Sequence, residues 1–144
     1  MADEHRASSM LRRYVFERAN GCCEYCLSQA LFSTESFALE HIHPRALGGT
    51  TTLDNLALSC SGCNGHKGRK THGVDPQSGQ NIALFHPRRQ AWSDHFMWSD
   101  DFALVIGITP CGRATATALN VNRKPLINLR RILLLGGFHP PKHL

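Results

Sequence analysis

The sequence predicts an α+β fold: a small ββα core stapled by four cysteines, then an extension of helix, β-hairpin and helix. Two observations predict the core. Cys23 and Cys26 form one CxxC pair and Cys60 and Cys63 a second, with residues 27 to 59 between them. Two such knuckles present four thiolates tetrahedrally to one zinc ion and pin together two distant stretches of chain. Between them, Phe37 to His41 alternates as a short strand. Pro44 and Gly48-Gly49 break it, and Leu53 to Leu58 returns as a second extended or irregular segment.

The remaining elements follow in order. Residues 1 to 7 are polar and expected to fray. A helix is expected from Ser9 to Asn20, capped by Ser8 or Ser9, with Leu11, Tyr14, Val15 and Ala19 on one face. Asn20-Gly21 ends it and delivers the chain to the first knuckle. Beyond Cys60 a helix is expected over Asn64 to Lys70, stopped by Gly73 and Pro76. Pro87 opens a further helix through Phe96 that buries Trp92 and Phe96. Phe102 to Thr109 and Arg113 to Asn120 alternate as two strands around the turn Pro110-Cys111-Gly112. A basic helix from Pro125 to Leu135 closes the chain with Leu126, Leu129, Ile132 and Leu133 inward. Residues 1–76 form the core and 77–144 an extension that packs on it within the same structural domain.

A chain of 144 residues buries a modest single core. Sixteen Lys and Arg against eleven Asp and Glu leave a net charge of +5. That balance suits a phosphate-bearing partner, and Lys67, Arg69 and Lys70 concentrate it locally. The longest aliphatic run, Ile132 to Leu135, is far short of the ~20 residues that span a bilayer. The start of the chain has no apolar leader, so a soluble cytoplasmic protein without a membrane partner is expected. In a reducing compartment the paired CxxC spacing favours metal over disulfides. Cys22 and Cys111 are left over as free thiols.

The cysteine frame encloses Glu40-His41-Ile42-His43-Pro44 and ends at Asn64. A carboxylate, an imidazole and an amide are the groups needed to hold a hard divalent ion and to deprotonate water. From Asn20-Gly21-Cys22-Cys23-Glu24-Tyr25-Cys26, through Glu40-His41-Ile42-His43-Pro44-Arg45, Gly48-Gly49 and Asp54-Asn55-Leu56, to Cys60-Ser61-Gly62-Cys63-Asn64-Gly65-His66-Lys67-Gly68, roughly residues 12 to 70, the segment resembles the HNH endonucleases, or ββα-metal nucleases. The resemblance implies His41 as general base. It implies Glu40 and Asn64 as ligands of a catalytic divalent ion, and Asn55 as the residue that holds the loop. Asn64 stands where many members carry histidine, and its harder oxygen favours Mg²⁺ or Mn²⁺. Arg45, Lys67, Arg69 and Lys70 would contact the DNA backbone. His66, pointing away from Asn64 on a helix, stays outside the metal set.

The activity so implied is metal-dependent hydrolysis of DNA phosphodiesters, with structural zinc as a staple. A zinc-stabilised nucleic-acid-binding module that no longer cleaves shares the cysteine frame and the basic clusters. An HNH nuclease directed at RNA is a third reading. One active site per chain makes a monomer the simplest state, and a dimer would permit paired cuts.

Overall fold

The computed structural model describes residues 2–142, with side chains from residue 8 onward. Met1, the first of the residues expected to fray, lies outside the described residues. Helix α1 spans Ala2–Arg18, so it begins ahead of the serine cap expected from sequence. Its inner face carries fully buried Val15 onto Leu56 and Leu58, with Leu11, Ala19 and Leu39 alongside. Tyr14, expected on that face, is exposed, and the Arg18 guanidinium lies 5.8 Å from its ring centroid.

The predicted ββα unit is present. Strand β1, Ala38–His41, pairs antiparallel with β2, Leu56–Ser59, placing Glu40 opposite Ala57 and His41 opposite Leu56. Helix α2, Ser61–Lys67, follows at once. It starts before the expected Asn64 because Cys60 is its cap: the Cys60 sulfur accepts from the Cys63 N–H at 3.5 Å.

The second half departs further from expectation. Strands β3, His72–Val74, and β4, Asn81–Ala83, form a hairpin that three-residue strands do not advertise in sequence. The helix expected from Pro87 shrinks to one turn, α3, Trp92–His95. Phe96 instead opens strand β5, Phe96–Trp98, which pairs with β6, Val105–Gly107. The hairpin expected around Pro110-Cys111-Gly112 is replaced by helix α4, Pro110–Ala118. Thr109 caps it, its hydroxyl accepting from Gly112 N–H at 3.0 Å, and Pro110 sits in the first turn. The alternating Ala and Thr of this segment mimic a strand, yet Ala114 and Thr115 are both buried on the helix. Helix α5, Lys124–Leu135, lies where expected, with Leu126 buried. Ile132 faces solvent rather than the core. Arg130 is buried instead, donating to the carbonyls of Ala103 at 3.0 Å and Val121 at 2.7 Å.

One core joins both halves: Tyr25, Ile42 and the knuckle cysteines pack with Phe85, Phe96, Val105, Leu119 and Leu126. Trp92 stacks on Phe96 at 5.2 Å, and its indole N–H donates to Tyr25 O at 2.9 Å. Among the described residues no helix is long and apolar enough to cross a membrane.

The β3–β4 hairpin is tied to α4 by Asp75, which accepts from Arg113 Nε at 2.9 Å and Nη2 at 3.0 Å. This two-pronged pair holds the Asp75 carboxyl well below the usual carboxylate range. A depressed carboxylate contributes stability above its unfolded value of ~3.9 and loses it as pH falls further. Asp75→Asn should therefore melt lower than wild type at neutral pH. The gap should narrow in thermal scans taken down through pH 4 to 2, and a gap independent of pH would refute this role.

Candidate functional site

The four sulfurs of Cys23, Cys26, Cys60 and Cys63 lie within 4.8 Å of one another, and all four residues are buried. The Cys26–Cys60 sulfur distance is 3.7 Å, close to the ~3.8 Å edge of a tetrahedron with metal–sulfur bonds of ~2.3 Å. The cysteines fit a structural metal ion. Hydrogen bonds from the neighbouring thiols, Cys23 first, hold Cys60 well below the ordinary thiol range. Cys22 is buried but outside the cluster, donating to Asn20 O at 3.6 Å.

A residue that no local spacing reveals completes this centre. Arg123, just ahead of α5, donates to Cys60 Sγ at 3.3 Å and to Cys63 Sγ at 3.7 Å. Four thiolates around a dication carry net negative charge, and the guanidinium opposes it. Gly62 makes this approach possible, because a Cβ there would stand 2.3 Å from Arg123 Nη2. A glycine inside the second knuckle was the available sequence signal.

His41 ends β1 half-buried, and its Nε2 shares a hydrogen bond of 2.9 Å with Thr51 Oγ1. Partial burial, then the charges of Arg45 and Lys67, lower its pKa below the ordinary imidazole value. The ring is therefore neutral at pH 7 and able to accept a proton. Asn55, buried, spans the loop behind it. Its amide donates to His43 O at 3.1 Å and Thr50 O at 2.7 Å, while its Oδ1 accepts from His43 N–H at 2.8 Å. The turn closes tightly enough that a Cβ on Gly49 would fall 1.7 Å from His43 O.

Glu40 points the other way from His41, into the protein. Its Oε1 lies 2.6 Å from Lys67 Nζ, and Tyr25 donates to its Oε2 at 2.6 Å. Burial pushes the Glu40 carboxyl up, and the Lys67 charge and the two donors pull it down. Lys67 also donates to Ile42 O at 2.9 Å. Tyr25 lies within the first knuckle and Lys67 ends α2, so one network links the cysteine cluster, β1, α2 and the turn after His41. Lys67, read from sequence as a DNA contact, is sealed inside instead, with 1% exposure. Arg45, Arg69 and Lys70 are exposed as such contacts require, and His66 is exposed too. Asn64 sits part-exposed on α2, one turn before Lys67 and so on the same side.

The candidate site is thus a ββα unit with a buried four-cysteine cluster that could hold a metal ion and a histidine at the end of its first strand. Residues 23–70, a third of the chain, match the HNH endonuclease family. The matched segment, which contains both cysteine pairs, is thus similar to HNH endonucleases. No curated protein and no solved structure matches the chain.

Proposed function

We propose that the protein is a metal-dependent endonuclease that hydrolyses phosphodiester bonds in DNA. The observation that carries this reading is His41, half-buried at the strand end, in a turn clamped by Asn55 and Lys67 within the segment that matches HNH endonucleases. His41 takes the proton from a water, which attacks phosphorus. The 3′ oxygen leaves and takes a proton from a solvent water, giving 5′-phosphate and 3′-hydroxyl ends. Asn55 holds the turn and touches no reacting atom. Arg45, Arg69 and Lys70 bind the backbone phosphates. The staple is zinc, the ion that four thiolates favour.

Glu40 and Asn64 are the proposed holders of the catalytic ion. Their oxygen donors suit Mg²⁺ or Mn²⁺. The Lys67 ammonium against Glu40 marks a place where a cation is already stabilised, so a divalent ion and this ammonium compete for one carboxylate. When bound, the ion neutralises charge on the phosphate and on the leaving oxygen. The closed Glu40–Lys67 pair is also the one observation that favours a binding module without cleavage.

Nicking of supercoiled plasmid separates the two readings. Wild type should nick with Mg²⁺ or Mn²⁺, and His41→Ala should fall by at least ~10²-fold, the usual contribution of a positioned base. The variant should melt like wild type and still shift DNA in a gel. DNA binding by wild type with no cutting in any divalent ion would make the binding module the correct reading.

A further inference from the structure

A cleft of about 840 Å³ opens beside the His41 turn, between the Gly48–Thr50 loop and the β3–β4 hairpin. It is distinct from the residues placed in the chemistry: neither Glu40, His41 nor Asn64 lines it. Its floor is apolar, formed by Ile42, Leu84 and Phe85, and its walls bring in Lys70, His72, His86 and Arg89. The acidic group among the lining residues, Asp54, is partly satisfied by the Thr52 hydroxyl at 2.5 Å. Ile42 and His43 belong to the cleft and directly follow His41 in the chain, so the cleft begins where the proposed base ends.

We infer that this cleft receives one nucleotide unit of an unpaired strand next to the phosphate being cut. The inference rests on the nuclease reading for the nature of the ligand. Size argues for a single unit, because cavities of roughly 300–1,000 Å³ enclose ligands of that class and not a double helix. Chemistry argues for a nucleotide: an apolar floor accepts a base face, and the Lys70 and Arg89 cations in the wall accept its phosphate. Both elements are within the cleft at once. A base stacked inside a duplex cannot reach that floor without leaving the stack. The preferred substrate is therefore single-stranded or locally opened DNA.

The test measures binding without cleavage, using the full-length His41→Ala protein with its structural metal retained and no catalytic divalent ion added. Fluorescence anisotropy compares a labelled single strand with a blunt hairpin duplex of related sequence. Single-strand affinity should exceed duplex affinity by about tenfold. Ala83→Trp fills the cleft from an exposed position on β4, and should lower single-strand affinity about tenfold while leaving duplex affinity unchanged. Arg89→Glu, also at an exposed position, should weaken single-strand binding. It should also flatten the plot of log Kd against log salt by roughly 0.7 for each phosphate no longer neutralised. If Ala83→Trp melts below its parent, Arg89→Glu decides alone. Equal affinity for strand and duplex, or well-folded variants that bind the strand like their parent, would overturn the inference. Plasmid nicking that persists in that case leaves the nuclease reading standing. Strand preference without nicking leaves the cleft standing and removes the nuclease.

Discussion

Lys67→Met is expected to lower the free energy of unfolding by about 3–5 kcal/mol, the usual cost of removing one member of a buried ion pair. Urea titration reads it directly. The ammonium stands 2.6 Å from Glu40 Oε1, with the two side chains 2% and 3% exposed. Without it a sealed carboxylate keeps only the Tyr25 hydroxyl, and the turn after His41 loses its donor to Ile42 O. Adding Glu40→Gln should recover much of the loss, because neither buried charge then remains. The same variant tests the proposed catalytic ligand. If Glu40 takes a divalent ion, Mg²⁺ or Mn²⁺ should stabilise Lys67→Met more than wild type, since binding to the folded state alone shifts stability by mass action. Identical small shifts in both proteins would remove Glu40 from the ligand set.

Loss of the structural metal is expected to unfold the protein altogether. Structural zinc in small thiolate sites contributes roughly 10–16 kcal/mol of apparent binding free energy, against a total stability of about 5–15 kcal/mol for an ordinary domain. Purified protein should carry one zinc per chain, and a strong chelator should abolish its cooperative melt. Cys60→Ala removes a ligand, the cap of α2 and an acceptor of Arg123 together, and should not fold at 37 °C. Wild-type zinc content and melting in that variant would refute the staple.

The parts of the fold legible in sequence are those decided locally. Cysteine spacing, the alternation before His41 and the breaks at Pro44 and Gly48-Gly49 depend on near neighbours, and they locate the ββα unit. The helix at Pro110 was obscured because Thr and Ala at alternate positions satisfy a strand period while Thr109-Pro110 satisfies a helix start. Capping settled the competition. In the site, Lys67 looks like Arg69 and Lys70 until its side chain is placed, since a cation in a basic run reads as solvated. What distinguishes it is a partner, Glu40, that lies far along the chain. Arg123 was hidden for the same reason. Its partners are Cys60 and Cys63, and no periodicity relates them to it.

Arg123 has a further consequence for how the protein is made. A nascent chain that has emerged only as far as residue 76 already contains all four cysteines, but not the guanidinium that lies against two of their sulfurs. It also lacks Trp92, which bonds the first knuckle, and Phe85 and Leu126, which pack on the cluster. During synthesis the thiolates can meet metal before their charge is opposed or their surroundings are dry. The staple can thus be begun before residue 77 has emerged, and it is locked only once Arg123 has followed.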